Sequence, residues 1–430
     1  MKHLNRTVVA LTAGCLSLTI AACGGSSTTA SSGSTGTGTG SGNLEVFSWW
    51  TSGSESAALK ALFDAYTKGN PGAKITNGAV AGGGGSNAQA VLQTRLQGNN
   101  APDVWQTHPG AAVNQYISSD LVADVSSVYA AGKLSGVIPK ALVDAVSKDG
   151  KQYGVSTGAH RGNVLWYSTK ALKKAGITVP DKGYTPDAFI ADLGKLKAAG
   201  VTPLCLGAKD TFATAELFEN TLLGNGGASA WNTLTASGGK WDSDQVKAAA
   251  TQFGKVLEYA DPDASAMSWD QATKKLGTGD CAFESMGDWA YGELAKDGFK
   301  EGTDFGYTAH PGTEGSFMAV VDTLVVAKNA KNKEAAMKFM ATIASKDAQL
   351  AFSKAKGSTP MRTDVDVSSL PKYQQGAAAS FKNDQIVQSV VHGEAMNPQF
   401  SQALYDAVTQ FAQSKDVNAF TQTLSNSAAS

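Results

Sequence analysis

Beyond residue 43 the chain alternates short apolar runs with longer amphipathic stretches. "LEVFSWW" (44–50) has the length and the aromatic content of a strand. Leu59, Leu62, Phe63 and Tyr66 then recur at helical spacing, with Ser54 as the expected cap and Gly69-Asn70-Pro71 as the stop. "AKITNGAV" reads as a second strand, "SNAQAVLQTRLQG" as a second helix and "APDVWQTH" as a third strand. This β-α-β-α-β order predicts the opening of a parallel open sheet with helices on both faces, whose ligands bind beyond the carboxyl ends of the strands. Trp49-Trp50 and His108 each fall at such an end.

The same grammar returns later. Thr185-Pro186 starts a helix with Phe189, Leu193 and Leu196 inward, Gly200 ends it, and "VTPLCLG" follows as a strand. "GTDFGYTAHPGTEGSFMAVVDTLVVAK" reads as strand, turn and apolar strand, with helical stretches around Ala335 to Phe352 and Ala403 to Phe411 after it. Two α/β lobes, with the chain passing between them more than once, account for this better than one large sheet, and no solenoid repeat is present.

At the N-terminus, Lys2 and Arg6 precede an apolar run built like a secretory signal and too short to span a bilayer as a mature helix. It ends in Ile20-Ala21-Ala22-Cys23, which resembles a bacterial lipobox. The expectation is a signal peptide over 1–22, a diacylglyceryl group on Cys23 and a Ser/Thr/Gly tether over 23–43. Acyl chains contribute about 0.8 kcal/mol per buried methylene, enough together to hold the protein on the outer face of the cell membrane.

Composition narrows the function by exclusion. With 42% hydrophobic and 17% charged residues the chain is ordinary and globular, and a net charge of −1 makes no case for nucleic acid. Of four Cys, processing leaves Cys205 and Cys281, outside the cell where disulfides persist. A bridge is expected, with two buried thiols as the alternative. "AVAGGGGSNAQ" lacks the Lys of a phosphate-binding loop. His108, His160, His310 and His392 stand singly, with no His-Glu-x-x-His or Cys-x-x-Cys, so neither a metal nor a cofactor is expected. No Gly-x-Ser-x-Gly elbow occurs.

Carboxylates keep an enzyme in view: Glu55, Glu284, Asp288 and Asp322 could supply the pair that glycoside cleavage needs about 5 to 9 Å apart. Binding needs less. A pyranose presents apolar C–H faces and a rim of hydroxyls, so an indole platform edged by planar charged groups would hold it. Trp49, Trp50, Trp269 and Trp289 fall near loops or strand ends, close to such groups. Each indole taken singly is more often half-buried structure, and adjacent residues on a strand face opposite ways unless the strand has ended.

"EVFSWW", "AVAGGGGSNAQAVLQTRLQGNNAPDVWQTHPG", "HRGNVLWY", "MSWDQA", "AFESMGDWAYGE", "PGTEGSFMAVVDT", "AKGSTPMR" and "VVHGEA" together resemble the glucose/mannose-binding solute-binding proteins of bacterial carbohydrate ABC importers. The resemblance runs in order from Leu44 onward. It implies a class II periplasmic-binding-protein fold, with one lobe from 44–155 and 306–355 and the other from 156–305 and 356–430. It implies sugar contacts from Trp49, Trp50, Glu55, His108, Trp269, Trp289, Asp322, Lys356 and His392, with His160, Arg161, Asn163 and Asp288 as secondary candidates. A monosaccharide ligand, ABC permease subunits as partners and a monomeric state are what such proteins share. A glycosidase and a binder of disaccharides or oligosaccharides remain the alternatives.

Overall fold

The computed structural model describes residues 43–81 and 85–429. The expected signal segment, Cys23 and all of the tether but Asn43 lie outside them. Among the described residues no helix is long and apolar enough to cross a membrane.

Two sheets carry the architecture. The larger has the order Thr359–Pro360, Val155–Arg161, Ser316–Val326, Val104–Thr107, Asn43–Phe47, Lys74–Asn77, and Gln385–Gln388 also pairs with Ser316–Val326. Its first three strands in sequence, Asn43–Phe47, Lys74–Asn77 and Val104–Thr107, are parallel and joined by the helices Gly53–Gly69 and Ser86–Gln97, as the periodicity predicts. The smaller sheet has the order Phe305–Ala309, Val164–Ser168, Cys281–Ser285, Thr202–Leu204. Each sheet has its own hydrophobic core: Leu44, Trp105 and Phe339 belong to one, Trp166, Phe218 and Phe283 to the other. Full burial of a side chain of this size contributes about 1.5–3 kcal/mol, so each lobe has a driving force of its own.

The chain passes between the lobes at Gly162–Asn163, at His310–Gly315 and between Ser389 and Asn397. The strand Ser316–Val326 faces both cores in alternation: Phe317, Ala319 and Val321 point into the first, Met318 and Val320 into the second. Three expected divisions are therefore corrected. Val155–Arg161 lies in the first sheet rather than opening the second lobe, and Phe305–Ala309 lies in the second. After residue 355, Thr359–Pro360 and Gln385–Gln388 still pair in the first sheet, while Tyr373 and Ala377 of the helix Lys372–Asn383, Val387, Val390, Val391 and the helices Pro398–Ser414 and Val417–Ala428 contribute to the second core. The apparent strand-turn-strand after residue 302 is no hairpin. Phe305–Ala309 pairs with Val164–Ser168, whereas Ser316–Val326 pairs with Val104–Thr107 and Val155–Arg161.

Caps mostly follow the sequence. Thr185 accepts from the Ala188 N–H at 3.2 Å, and Gly200 follows the helix at φ +67°. Ser54 is the exception, since the cap of Gly53–Gly69 is Ser52. The Ser54 N–H and Oγ donate instead to Glu293 of the other lobe, at 2.7 and 2.9 Å. Gly53, at φ +64°, permits this contact, because a Cβ there would lie 2.1 Å from Glu293 Oε1. Cys205 and Cys281 are bonded, with Cα atoms 5.5 Å apart, across the parallel pair Thr202–Leu204 and Cys281–Ser285.

Candidate functional site

Between the lobes lies a cavity of about 340 Å³. All nine principal candidates line it, as does His160. Trp49 and Trp50 both reach it because the strand ends at Phe47, which frees the pair from strict alternation. Trp49 lies on Gly85 and near His108, whose ring centroid is 5.3 Å away, while Trp50 backs onto Phe352 at 5.3 Å. From the other lobe, Trp269 opens the helix Trp269–Thr278 and Trp289 opens the helix Trp289–Lys296. Trp269 is half-buried, whereas the other three indoles are buried. Indole walls thus come from both sides.

The polar groups are held by element ends and by one irregularity. Glu55 lies in the first turn of Gly53–Gly69 and Lys356 ends the helix Lys346–Lys356, so each charge complements its helix dipole. Lys356 Nζ is 2.9 Å from Glu55 Oε1 and lies over the Trp50 and Trp289 rings, 5.8 and 5.9 Å from their centroids. Burial alone would lower the Lys356 pKa, but Glu55 and Asp322 raise it above its ordinary value. Burial raises Glu55 against the pull of Lys356. Asp322 sits where the register shifts between Asp322 and Thr323, with Thr157 the extra residue on the partner strand Val155–Arg161. Its Oδ1 accepts from Gln106 Nε2 at 2.9 Å. Burial would raise Asp322, yet contact with His160 and the charge of Lys356 hold it at about 2.

His108 Nδ1 donates to the Val321 carbonyl at 2.9 Å, and His392 Nδ1 meets Ser389 Oγ at 3.0 Å. Burial lowers the pKa of both, so they stand neutral at neutral pH. His160 is different. Its Nδ1 contacts Asp288 and its Nε2 is 3.2 Å from Asp322 Oδ2, close enough for an ion pair but not aligned as a hydrogen bond. Burial works against the imidazolium, but Asp288 and Asp322 prevail and raise its pKa.

Three secondary candidates do not line the cavity. Asp288 is fully buried behind His160. Asn163 is spent on the hinge: its Nδ2 donates to Thr313 Oγ1 at 2.8 Å and to the Ser316 carbonyl at 3.0 Å, and its Oδ1 accepts from the Met318 N–H at 3.0 Å. The Arg161 guanidinium turns to Asn163 and Ser316. Glu284, raised by burial to about 8, accepts from Thr273 at 2.9 Å and also lies outside the cavity. Conversely, Asp210, Phe212, Ser268, Asp270, Glu293 and Lys296 line the cavity and were missed. Asp210 and Ser268 precede helices and read as caps, and Asp270, Glu293 and Lys296 read as ordinary charges within helical periods. Among the described residues no three His, Cys, Asp or Glu side chains group to hold a metal ion. His310 is bonded to Ser285 at 2.9 Å and lies apart from the cavity.

The sequence profile described as bacterial extracellular solute-binding protein matches residues 50–350. An uncharacterised ABC transporter extracellular-binding protein of Pyrococcus horikoshii is 32% identical over 92% of this chain and 89% of its own. A probable sugar-binding periplasmic protein of Brucella suis is 32% identical over 86% of this chain and 87% of its own. The solved structure of the bacterial solute receptor AcbH, described as exclusive for β-D-galactopyranose, has a TM-score of 0.79 at 18% identity, covering 90% of this chain and 99% of the receptor. That likeness is one of fold.

Proposed function

We propose, for a chain that belongs to the bacterial extracellular solute-binding proteins, that the cavity captures a neutral monosaccharide and hands it to an ABC permease. D-Glucose is the proposed ligand, with D-mannose and D-galactose as further ones. The fold is the two-lobe α/β fold of the periplasmic binding proteins. The family is one of binding proteins rather than enzymes, which removes the glycosidase alternative.

One observation carries the sugar reading: four indoles enclose polar groups that already have partners within the protein. Lys356 is paired with Glu55, and His160 lies between Asp322 and Asp288. An anionic ligand would have to draw Lys356 away from Glu55 in a buried site, at a cost of several kcal/mol. A neutral polyol instead finds apolar faces for its C–H groups and charged hydrogen-bond partners for its hydroxyls. Ligand cavities run from about 300 to 1,000 Å³, and a volume of about 340 Å³ favours a single ring. The sugar-binding description of the Brucella relative supports the class. Closure of the lobes about the three crossings would enclose the ring.

Protein freed of ligand by partial unfolding and refolding is expected to melt several degrees higher with D-glucose. A ligand specific to the folded state adds roughly 4 kcal/mol at a thousand times its dissociation constant. The panel holds glucose, mannose, galactose, xylose, maltose and cellobiose, each chromatographed afterwards and expected unchanged. A response confined to maltose or cellobiose would move the reading to disaccharides, and no response to any of the six would defeat the sugar class. Anchoring through Cys23 belongs to the same proposal: Cys23→Ala should abolish fatty-acid labelling of the protein, and labelling that persists would refute that anchor.

A further inference from the structure

Asp288 follows the second-lobe strand Cys281–Ser285 and stands at the N-cap position of the helix Trp289–Lys296, but its side chain does not bond that helix and reaches instead across the first crossing. One carboxylate oxygen meets His160 Nδ1, and the other accepts from the Arg161 N–H at 3.1 Å and from the Tyr373 hydroxyl at 3.2 Å. Its own N–H donates to the Arg161 carbonyl at 3.1 Å. His160 and Arg161 end a strand of the first sheet, so Asp288 ties the second lobe to that strand while having no access to the cavity.

His160 does line the cavity. Asp288 and Asp322 face its two nitrogens, Lys356, His108 and His392 are the cationic or titratable groups nearby on the cavity side, the Trp289 ring crosses it at 5.4 Å, and Tyr373 stands behind Asp288. An imidazole that serves carboxylates on both sides needs a proton on each nitrogen. Two carboxylates around it favour that form, which agrees with the upward direction of its pKa.

We propose that Asp288 is a positioning residue for ligand capture: it holds His160 doubly protonated, and His160 in turn holds Asp322, so that the second lobe sets the orientation and charge balance of a carboxylate presented by the first. The proposal rests on the reading of Asp322 as a ligand contact. Asp288→Asn keeps the shape and an acceptor for the Arg161 N–H but removes the charge. His160 should then lose its proton near neutral pH, and a neutral ring no longer balances Asp322.

The test is calorimetric titration with D-glucose from about pH 5.5 to about pH 8.5 on the parent, Asp288→Asn, His160→Gln and the double variant. The parent should vary by less than about twofold over this range, whereas Asp288→Asn should bind like it at the acid end and about tenfold more weakly at the alkaline end. His160→Gln should be weak throughout, and the double variant no weaker, since Asp288 acts through His160. A merely structural role would weaken Asp288→Asn equally at every pH and add to His160→Gln. That pattern, or a profile as flat as the parent's, overturns the proposal. Should Asp288→Asn fail to fold, the nitrogen-15 shifts of the His160 ring in the parent replace it: protons on both nitrogens at about pH 7 support the proposal, and a singly protonated ring overturns it. Asp322→Asn serves as the control. Parent-like binding by that variant overturns this proposal together with the site beneath it, whereas weak binding by it beside a flat Asp288→Asn profile overturns this proposal alone.

Discussion

Lys356→Met is expected to weaken sugar binding at least a hundredfold and to make the protein more stable in mild acid than at neutral pH. The side chain is 3% exposed, and its ammonium is 2.9 Å from Glu55 Oε1. Met fills similar volume, so the loss is one of charge. Removing one partner of a buried pair costs about 3–5 kcal/mol, because the other is left desolvated and unpaired; a charge-assisted bond to a ligand hydroxyl is lost as well. The pH sign follows from the carboxylates. In the parent, Asp322 is held at about 2, below its unfolded value, so its stabilisation is present above about pH 4 and is lost as pH falls through that window. Without Lys356, Glu55 and Asp322 both lose a group that lowers their pKa. Where burial then carries a carboxylate above its unfolded pKa, the folded state binds the additional proton and gains stability as pH falls. Calorimetric melts at about pH 5.5 and about pH 7.5, paired with titrations of the sugar, measure both effects. Parent-like affinity would remove Lys356 from the site. A difference in melting temperature between the two pH values no different from the parent's would show that the lysine does not compensate the carboxylates.

The double replacement of Cys205 and Cys281 by Ala should lower the melting temperature by about 5 to 10 °C. The bridge closes a loop of sequence separation 76, and the chain-entropy relation assigns a loop of that order about 4–5 kcal/mol. Spread over the unfolding entropy of one lobe or of both, that free energy corresponds to a shift of the stated size. The bridge also ties Cys205, just past the strand Thr202–Leu204, to Cys281 on the neighbouring strand, beside the loop in which Gly207 packs on the Trp269 backbone. Reductant should reproduce the shift in the parent and leave the variant unchanged. Identical melts for the two proteins would deny the bridge any part in stability.

Local order was readable from the chain. The helices Gly53–Gly69, Ser86–Gln97 and Pro186–Ala198 follow from apolar spacing and flanking Gly, Pro and Thr, because helix formation depends on residues within a turn of one another. The four indoles and Glu55, Asp322 and Lys356 of the cavity were readable as well, through motif resemblance from "LEVFSWW" to "VVHGEA", whereas Asp210, Asp270, Glu293 and Lys296 were not. The sheet to which a strand belongs was not. Phe305–Ala309 and Ser316–Val326 look like one hairpin, but their partners come from Val164–Ser168 on one side and from Val104–Thr107 and Val155–Arg161 on the other. Pairing of that kind is chosen by burial against distant segments and leaves no periodic trace in the strand itself.

The same limit governed the site. The sequence by itself determined two α/β lobes, a strand ending beside Trp49-Trp50, and indoles near loops or strand ends with charged residues beside them. Tertiary structure alone decided that Asp322 reaches the cavity while Asp288 stands behind His160, that Ser54 meets Glu293 rather than capping its own helix, and that Cys205 lies opposite Cys281. An aspartate carries the same charge and hydrogen-bonding capacity wherever it is placed. Its depth, and so its part in binding, is set by which residues from the rest of the chain surround it, and that depends on how two lobes pack about three crossings.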